Sequence, residues 1–168
     1  HLLNTILIIM ILYRLFRHTW AAAITGLFYA VHPMTIEPIL WVGERKTPLS
    51  AFFVFLSILC YLHYTANRNK STYIVSLVMF VCALLSKPTS TLLPVLLLLL
   101  DFWPLQSFNK SRVVEKIPFF ITAAVSAVIT YLSQSNTANV ITPEKYPILH
   151  IPLTILHNIA FYLYKMLW

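Results

Sequence analysis

The chain is made of long, unbroken apolar runs separated by short polar breaks, and few folds can accommodate that pattern. The stretch Leu92 to Leu100 shows no polar residue at every second position, so it is not a strand of a membrane barrel, which alternates between lipid and lumen. Two glycines against ten prolines point to helices whose ends and kinks are set by proline. Of the 168 residues, 59% are hydrophobic and only 10% charged, with a mean hydropathy of +0.77. A soluble domain carries roughly 25% charged residues. The expected fold class is therefore all-α: a polytopic integral membrane helical bundle.

The apolar segments run from about Leu2 to Leu15, Thr19 to Val31, Leu49 to Tyr64, Tyr73 to Ser86, Thr89 to Trp103, Ile117 to Ser133 and Leu149 to Trp168, which predicts seven transmembrane helices in a single transmembrane domain. Several are short for a bilayer that takes about 20 residues, and Tyr13, Trp20 and Trp103 are placed to extend them at the interface. Tyr73 to Trp103 is too long for one span, and Lys87-Pro88 divides it into a hairpin of two short helices. Cys60 and Cys82 fall inside apolar segments, where a free thiol acts as a small hydrophobe. The chain begins at His1 without a recognisable signal peptide and ends within an apolar segment, so it is expected to be a fragment of a longer protein.

Alternating these segments across a membrane distributes the loops over two sides. One side receives Arg14, Arg17, Arg68, Lys70, Lys110, Arg112, Lys116 and Lys165; the other receives Arg45, Lys46, Lys87 and Lys145. The excess makes the first side cytoplasmic. The net charge of +7 then reflects loops drawn to anionic headgroups, so membrane lipids are expected partners and nucleic acid is not. The Asn69-Lys-Ser and Asn109-Lys-Ser triplets match a glycosylation acceptor pattern but fall on the cytoplasmic side, where they are inert.

The outer side carries the candidate site. His32 to Ser50 packs His32, Glu37, Glu44, Arg45 and Lys46 between two apolar segments, and ionisable groups beside a bilayer are costly enough to mark function. Arg45, Lys46 and Lys87 would suit a phosphate at headgroup depth, through a planar donor fork and compact point charges. The plain alternative is that they anchor helix ends at the interface. Glu37, stiffened by Pro33 and Pro38, could hold a sugar hydroxyl or a divalent cation, with His32 donating to the same group. Glu44 is read as a pairing partner for Arg45 or Lys46, and His63, Cys60 and His157 as packing residues. Ser86, Thr89 and Ser90 beside Lys87 are read as satisfying backbone groups freed at the helix break. No zinc-binding helix, phosphate-cradling glycine loop or cysteine pair at metal spacing is present.

The run from His32-Pro33 through Glu37 to Trp41-Val42 and Glu44-Arg45-Lys46, followed by Leu49-Ser50-Ala51, resembles the hallmark of multi-span O-mannosyltransferase-like proteins that carry C-terminal tetratricopeptide repeats. Leu84-Leu85-Ser86-Lys87-Pro88 resembles the hairpin of that family, Leu98 to Leu105 the end of its next span, and Tyr162 to Trp168 the start of a later block. The resemblance implies a GT-C superfold glycosyltransferase that takes a sugar, mannose above all, from a polyprenyl-phosphate carrier and passes it to a protein Ser or Thr. The membrane would be that of the endoplasmic reticulum in a eukaryote and the plasma membrane in a bacterium. It also implies that Glu37 lies in an outer loop facing donor or metal, and that Lys87 meets the carrier phosphate. A divalent cation stays open as a cofactor.

Two departures stand out. The family motif continues Glu-Arg-Lys-Asp, whereas Thr47 occupies the fourth position here. The catalytic acid of the superfold sits in the first outer loop, expected upstream of His1, so the chain by itself is expected to be inactive. The competing classes are a scaffold anchoring the repeats and a transporter. A transporter would show ionisable residues deep in several spans, while the charges here gather at loops.

Overall fold

The computed structural model describes residues 1–106, 109–137 and 150–167. Among the described residues all regular structure is helical: α1 (Leu2–Phe16), α2 (Thr19–Val31), α3 (Pro33–Leu40), a 3-10 turn at Val42–Glu44, α4 (Lys46–Asn67), α5 (Lys70–Ser86), a 3-10 turn at Pro88–Leu92, α6 (Leu93–Phe102), α7 (Lys110–Val114), α8 (Ile117–Thr137) and α9 (His150–Leu167). The chain divides into two compact units, one over His1–Thr130 and one from Tyr131 onward. In the second, α9 carries a stacked His157–Phe161 pair with ring centroids 6.4 Å apart.

All seven apolar segments fall on helices. Two helices, Val42–Asn67 and Lys110–Ser135, are long and apolar enough to cross a membrane, each 26 residues at a mean hydropathy of 1.7. At about 1.5 Å per residue either exceeds the roughly 30 Å hydrocarbon core. Leu2–Phe16, Thr19–Val31, Lys70–Ser86 and Pro88–Phe102 are shorter apolar helices. Large apolar side chains such as Ile24, Leu27, Phe28, Leu85 and Leu99 are exposed. A surface of that kind would associate in water and is at home in lipid, consistent with an integral membrane protein. The stretch His32 to Ser50, read from the sequence as a loop, is instead largely helical: it folds into α3, the first 3-10 turn and the start of α4. Glu144 and Lys145 lie outside the described residues.

Two chain reversals are built alike. Arg17 (φ 55°) ends α1 and Arg68 (φ 56°) ends α4, both in the left-handed region, and the next residue in each case caps the following helix. His18 Nδ1 accepts from the Ala21 amide at 3.2 Å, and the Asn69 side chain accepts from the Ser71 amide at 2.9 Å. Asn109 likewise accepts from the Lys110 amide at 2.7 Å. Both asparagines of the acceptor-like triplets thus serve as N-caps, which satisfy otherwise orphaned amides.

The core of the first unit forms where α4 and α5 lie antiparallel and α6 and α8 pack on them, burying Tyr61, Phe80, Leu97 and Phe119 completely. Phe80 and Phe119 stack with centroids 5.6 Å apart. Small residues let α4 and α5 approach: Ser57 Oγ donates to the Ser76 carbonyl and Ser76 Oγ to the Ser57 carbonyl, both at 2.8 Å. Such reciprocal bonds hold helices together where lipid offers no hydrophobic drive. Gly26 does the same for α1 and α2, since a Cβ there would lie 2.2 Å from Ile9 Cγ1.

Cross-helix contacts sort the loops of this unit onto two ends. Arg14 reaches His63 at 3.3 Å, Arg68 pairs with Glu115 at 3.1 Å, and the Tyr73 hydroxyl donates to the Glu115 carbonyl at 2.7 Å. At the opposite end Lys87 reaches Glu44 and Asn4 donates to the Pro48 carbonyl at 2.9 Å. The division agrees with the alternation expected from the sequence.

One residue of that count behaves differently. Lys116, taken as a loop cation, is fully buried beside an equally buried Asp101. Its ammonium contacts Asp101 and the Tyr61 hydroxyl, and that hydroxyl donates to the two Asp101 carboxylate oxygens at 2.9 and 2.8 Å. The cluster ties α4, α6 and the start of α8 together.

Two stability predictions follow from these contacts. Gly26→Leu should overpack α1 against α2 and cost about 1–3 kcal/mol, read as a lowered melting temperature in detergent, with Gly26→Ala milder. Asp101→Leu or Lys116→Met alone should cost about 3–5 kcal/mol by stranding a buried charge. The double variant should recover much of that loss, and additive losses would show that the two charges are not coupled.

Candidate functional site

The site begins with Pro88. A residue before proline is pushed to extended backbone, and Lys87 adopts φ −155°, ψ 118° while its amide still closes α5 on the Ala83 carbonyl at 2.9 Å. The side chain is thereby sent across to the start of α4. Ser50 braces the crossing: its hydroxyl donates to the Ala83 carbonyl at 3.0 Å and lies 2.6 Å from Ser90 Oγ. Ser86 Oγ donates to the Cys82 carbonyl at 2.8 Å. Of the residues read from the sequence as satisfying freed backbone groups, Ser86 bonds a backbone carbonyl, while Ser90 contacts the Ser50 hydroxyl instead.

Lys87 ends in a small network. Its Nζ donates to Thr47 Oγ1 at 2.7 Å and to Glu44 Oε2 at 3.2 Å, and Thr47 donates to the same carboxylate oxygen at 2.7 Å. The other carboxylate oxygen faces Lys46 Nζ at 3.9 Å. Glu44 therefore stands between two lysines at the N-terminus of α4, where the helix dipole also favours an anion. Lys87 is the more sheltered partner, with 27% of its side chain exposed against 41% for Glu44.

These residues line an open cleft of about 340 Å³, with Lys87, Glu44 and Thr47 together with Glu37, Pro38 and Trp41. Pro33 opens α3 at its first turn and Pro38 sits inside it. Together they fix the direction of this short helix, and Glu37 and Trp41 are delivered to the cleft wall.

Of the five residues singled out in the sequence, Glu37 and Lys87 meet at this cleft. Lys46 reaches it only through Glu44. Arg45 is exposed at the start of α4 and is not part of the cleft lining. His32 caps α3, its Nδ1 accepting from the Met34 amide at 3.3 Å, and packs against the Phe28 ring at 5.0 Å. Glu44, Thr47 and Trp41 were not assigned chemistry from the sequence. The usable signal was Glu44 three residues before Thr47 at a helix start, a spacing that puts both side chains on one face. Glu37 and Glu44 are the carboxylates of the cleft, and a magnesium ion is commonly held by one or two carboxylates together with water and substrate phosphates. Among the described residues no group of three or more His, Cys, Asp or Glu side chains gathers.

Residues 1–134 match the family model described as dolichyl-phosphate-mannose-protein mannosyltransferase. The chain belongs to that family. No curated protein and no solved structure matches it. The matched residues include every residue of the Lys87 cleft.

Thr47→Val should remove one hydrogen bond to each of Lys87 and Glu44 while keeping the side-chain shape. The expected cost is about 1 kcal/mol, measured by denaturant unfolding in detergent. No loss would mean that the network is not formed in the folded protein.

Proposed function

We propose that the Lys87 cleft receives the phosphate of a lipid-linked mannose donor, and that the protein serves transfer of the sugar to a Ser or Thr hydroxyl of a protein acceptor on the luminal or periplasmic side. The observation that carries this reading is a half-sheltered lysine, oriented by Thr47 and Glu44, in an open cleft at one end of an apolar helical unit. A polyprenyl chain would lie in the bilayer along the exposed apolar helix faces while its phosphate rises to the level of Lys87.

In the reaction the acceptor oxygen bonds to C1 of the sugar, the bond from C1 to the phosphate oxygen breaks, and the electron pair leaves with the polyprenyl phosphate. The acceptor proton passes to a base. Lys87 stabilises the phosphate as charge grows on it. Glu44 and Thr47 hold the ammonium in place before substrate arrives, and Glu37 orients the sugar hydroxyls. Lys46 and Arg45 supply positive potential at the start of α4 and draw the anionic carrier toward it. The fold would then be of the GT-C kind, with all seven apolar segments spanning the membrane.

The test is mannose transfer from polyprenyl-phosphate mannose in membranes containing the protein at its full native length. Lys87→Ala should lower kcat/KM on the order of 10²–10³-fold, and Glu37→Gln by a smaller factor, compared at matched amounts of folded protein. Wild-type transfer by both variants would remove the cleft from the mechanism. Absence of transfer by the wild type with several lipid-linked sugars would favour a membrane scaffold.

A further inference from the structure

The opposite end of the first unit holds a second, differently charged cavity. It has a volume of about 580 Å³, and its lining includes Arg14 and Arg17 from the end of α1, His63 and Asn67 from the end of α4, and Arg112 from α7. None of the lining residues is acidic. Thr47 and His63 are sixteen positions apart on α4, so this cavity is roughly 25 Å from the Lys87 cleft along the helix. The two cannot share one phosphate.

The charge at this end is not balanced. Glu115 faces two guanidiniums, Arg68 at 3.1 Å and Arg112 at 3.5 Å. Arg14 contacts an imidazole and not a carboxylate, with both terminal nitrogens 3.3 Å from His63 Nδ1, and the Asn67 side-chain amide lies 2.8 Å from His63 Nε2. Arg112 is sheltered, its side chain only 6% exposed. Its Nη1 and Glu115 Oε2 face each other at 3.5 Å as an ion pair without hydrogen-bond geometry, and neither atom has a hydrogen-bond partner. Three guanidiniums in a cavity whose described lining holds no carboxylate are a set of donors suited to an anion.

We infer that this cavity is a phosphate-binding site in which Arg14, Arg17 and Arg112 hold the phosphate of an anionic phospholipid headgroup or of a soluble phosphate compound. The site is independent of the donor cleft. By the distribution of basic residues it faces the cytoplasm, where anionic lipid is concentrated. Occupancy links α1, α4 and α7 at their common end.

The experiment measures thermal stabilisation of the purified full-length protein in detergent by three probes: dioctanoyl phosphatidic acid, dioctanoyl phosphatidylcholine and inorganic phosphate. Saturable stabilisation by phosphatidic acid, with none by phosphatidylcholine or free phosphate, identifies a lipid headgroup site. Equal stabilisation by inorganic phosphate at matched concentration identifies a soluble phosphate. In either case the half-saturating concentration should rise at least tenfold in Arg14→Gln/Arg17→Gln. Those two residues sit at the end of α1, and their change leaves the buried Arg112 in place, so the variant should fold. Arg112→Gln should weaken binding further if it folds. No saturable stabilisation by either phosphate probe, or the same half-saturation in the double variant, overturns the site.

Discussion

A charged lysine buried among apolar helices is tolerable when a carboxylate is buried with it, and the first unit is organised around such a pair. Lys116 and Asp101 are both fully buried, and the Tyr61 hydroxyl donates to the same carboxylate. Desolvating two charges is expensive, and their attraction offsets it only when the remaining donors and acceptors are satisfied. Tyr61 supplies that satisfaction and in doing so fixes the register of α4 against α6 and the start of α8. Each helix carries one polar group of the cluster, so slipping any of them by a residue would break it. Apolar packing alone specifies register less sharply, since volume-conserving exchanges among apolar side chains are tolerated.

The register of α4 matters for both of its ends. It is a single helix from Lys46 to Asn67, and fixing Tyr61 also fixes where Thr47 and His63 stand. At the first end, Ser50 and Asn4 add polar ties from α4 to α5 and α1. Thr47 therefore meets Lys87 from a supported position. The hydroxyl and the carboxylate hold the ammonium in one place. The carboxylate also sets a condition on the approach of an anion: a phosphate must share Lys87 with Glu44 or displace it.

Much of this was legible in the sequence, for reasons that differ by level. Apolar runs without alternation gave all seven helical segments, because burial in an apolar medium leaves the backbone no other partner. Lys87-Pro88 announced a break, since proline constrains the residue before it. Less legible were α3 and the 3-10 turn, where charges and two prolines looked like a loop but the prolines sit at helix-compatible positions. Glu37 and Lys87 were found because charge at a membrane boundary is rare. Glu44 and Thr47 needed the fold, because their partner lies 40 or more positions away. Lys116 was misplaced for a related reason: a lysine flanked by loop cations reads as solvated, and only Asp101, at the end of a leucine run, hinted that a buried counter-charge was waiting.

The two ends of the unit treat charge in opposite ways, and that contrast bears on what each can bind. At the Lys87 end the cations Arg45, Lys46 and Lys87 are set against the carboxylates Glu37 and Glu44, so only a small positive excess remains. At the other end Arg14, Arg17, Arg68, Lys70, Lys110 and Arg112 are opposed by Glu115 once the Lys116–Asp101 pair is set aside. An excess of that size attracts anions such as lipid headgroups. The same helix thus joins an end whose charges nearly cancel to an end with a large cationic excess.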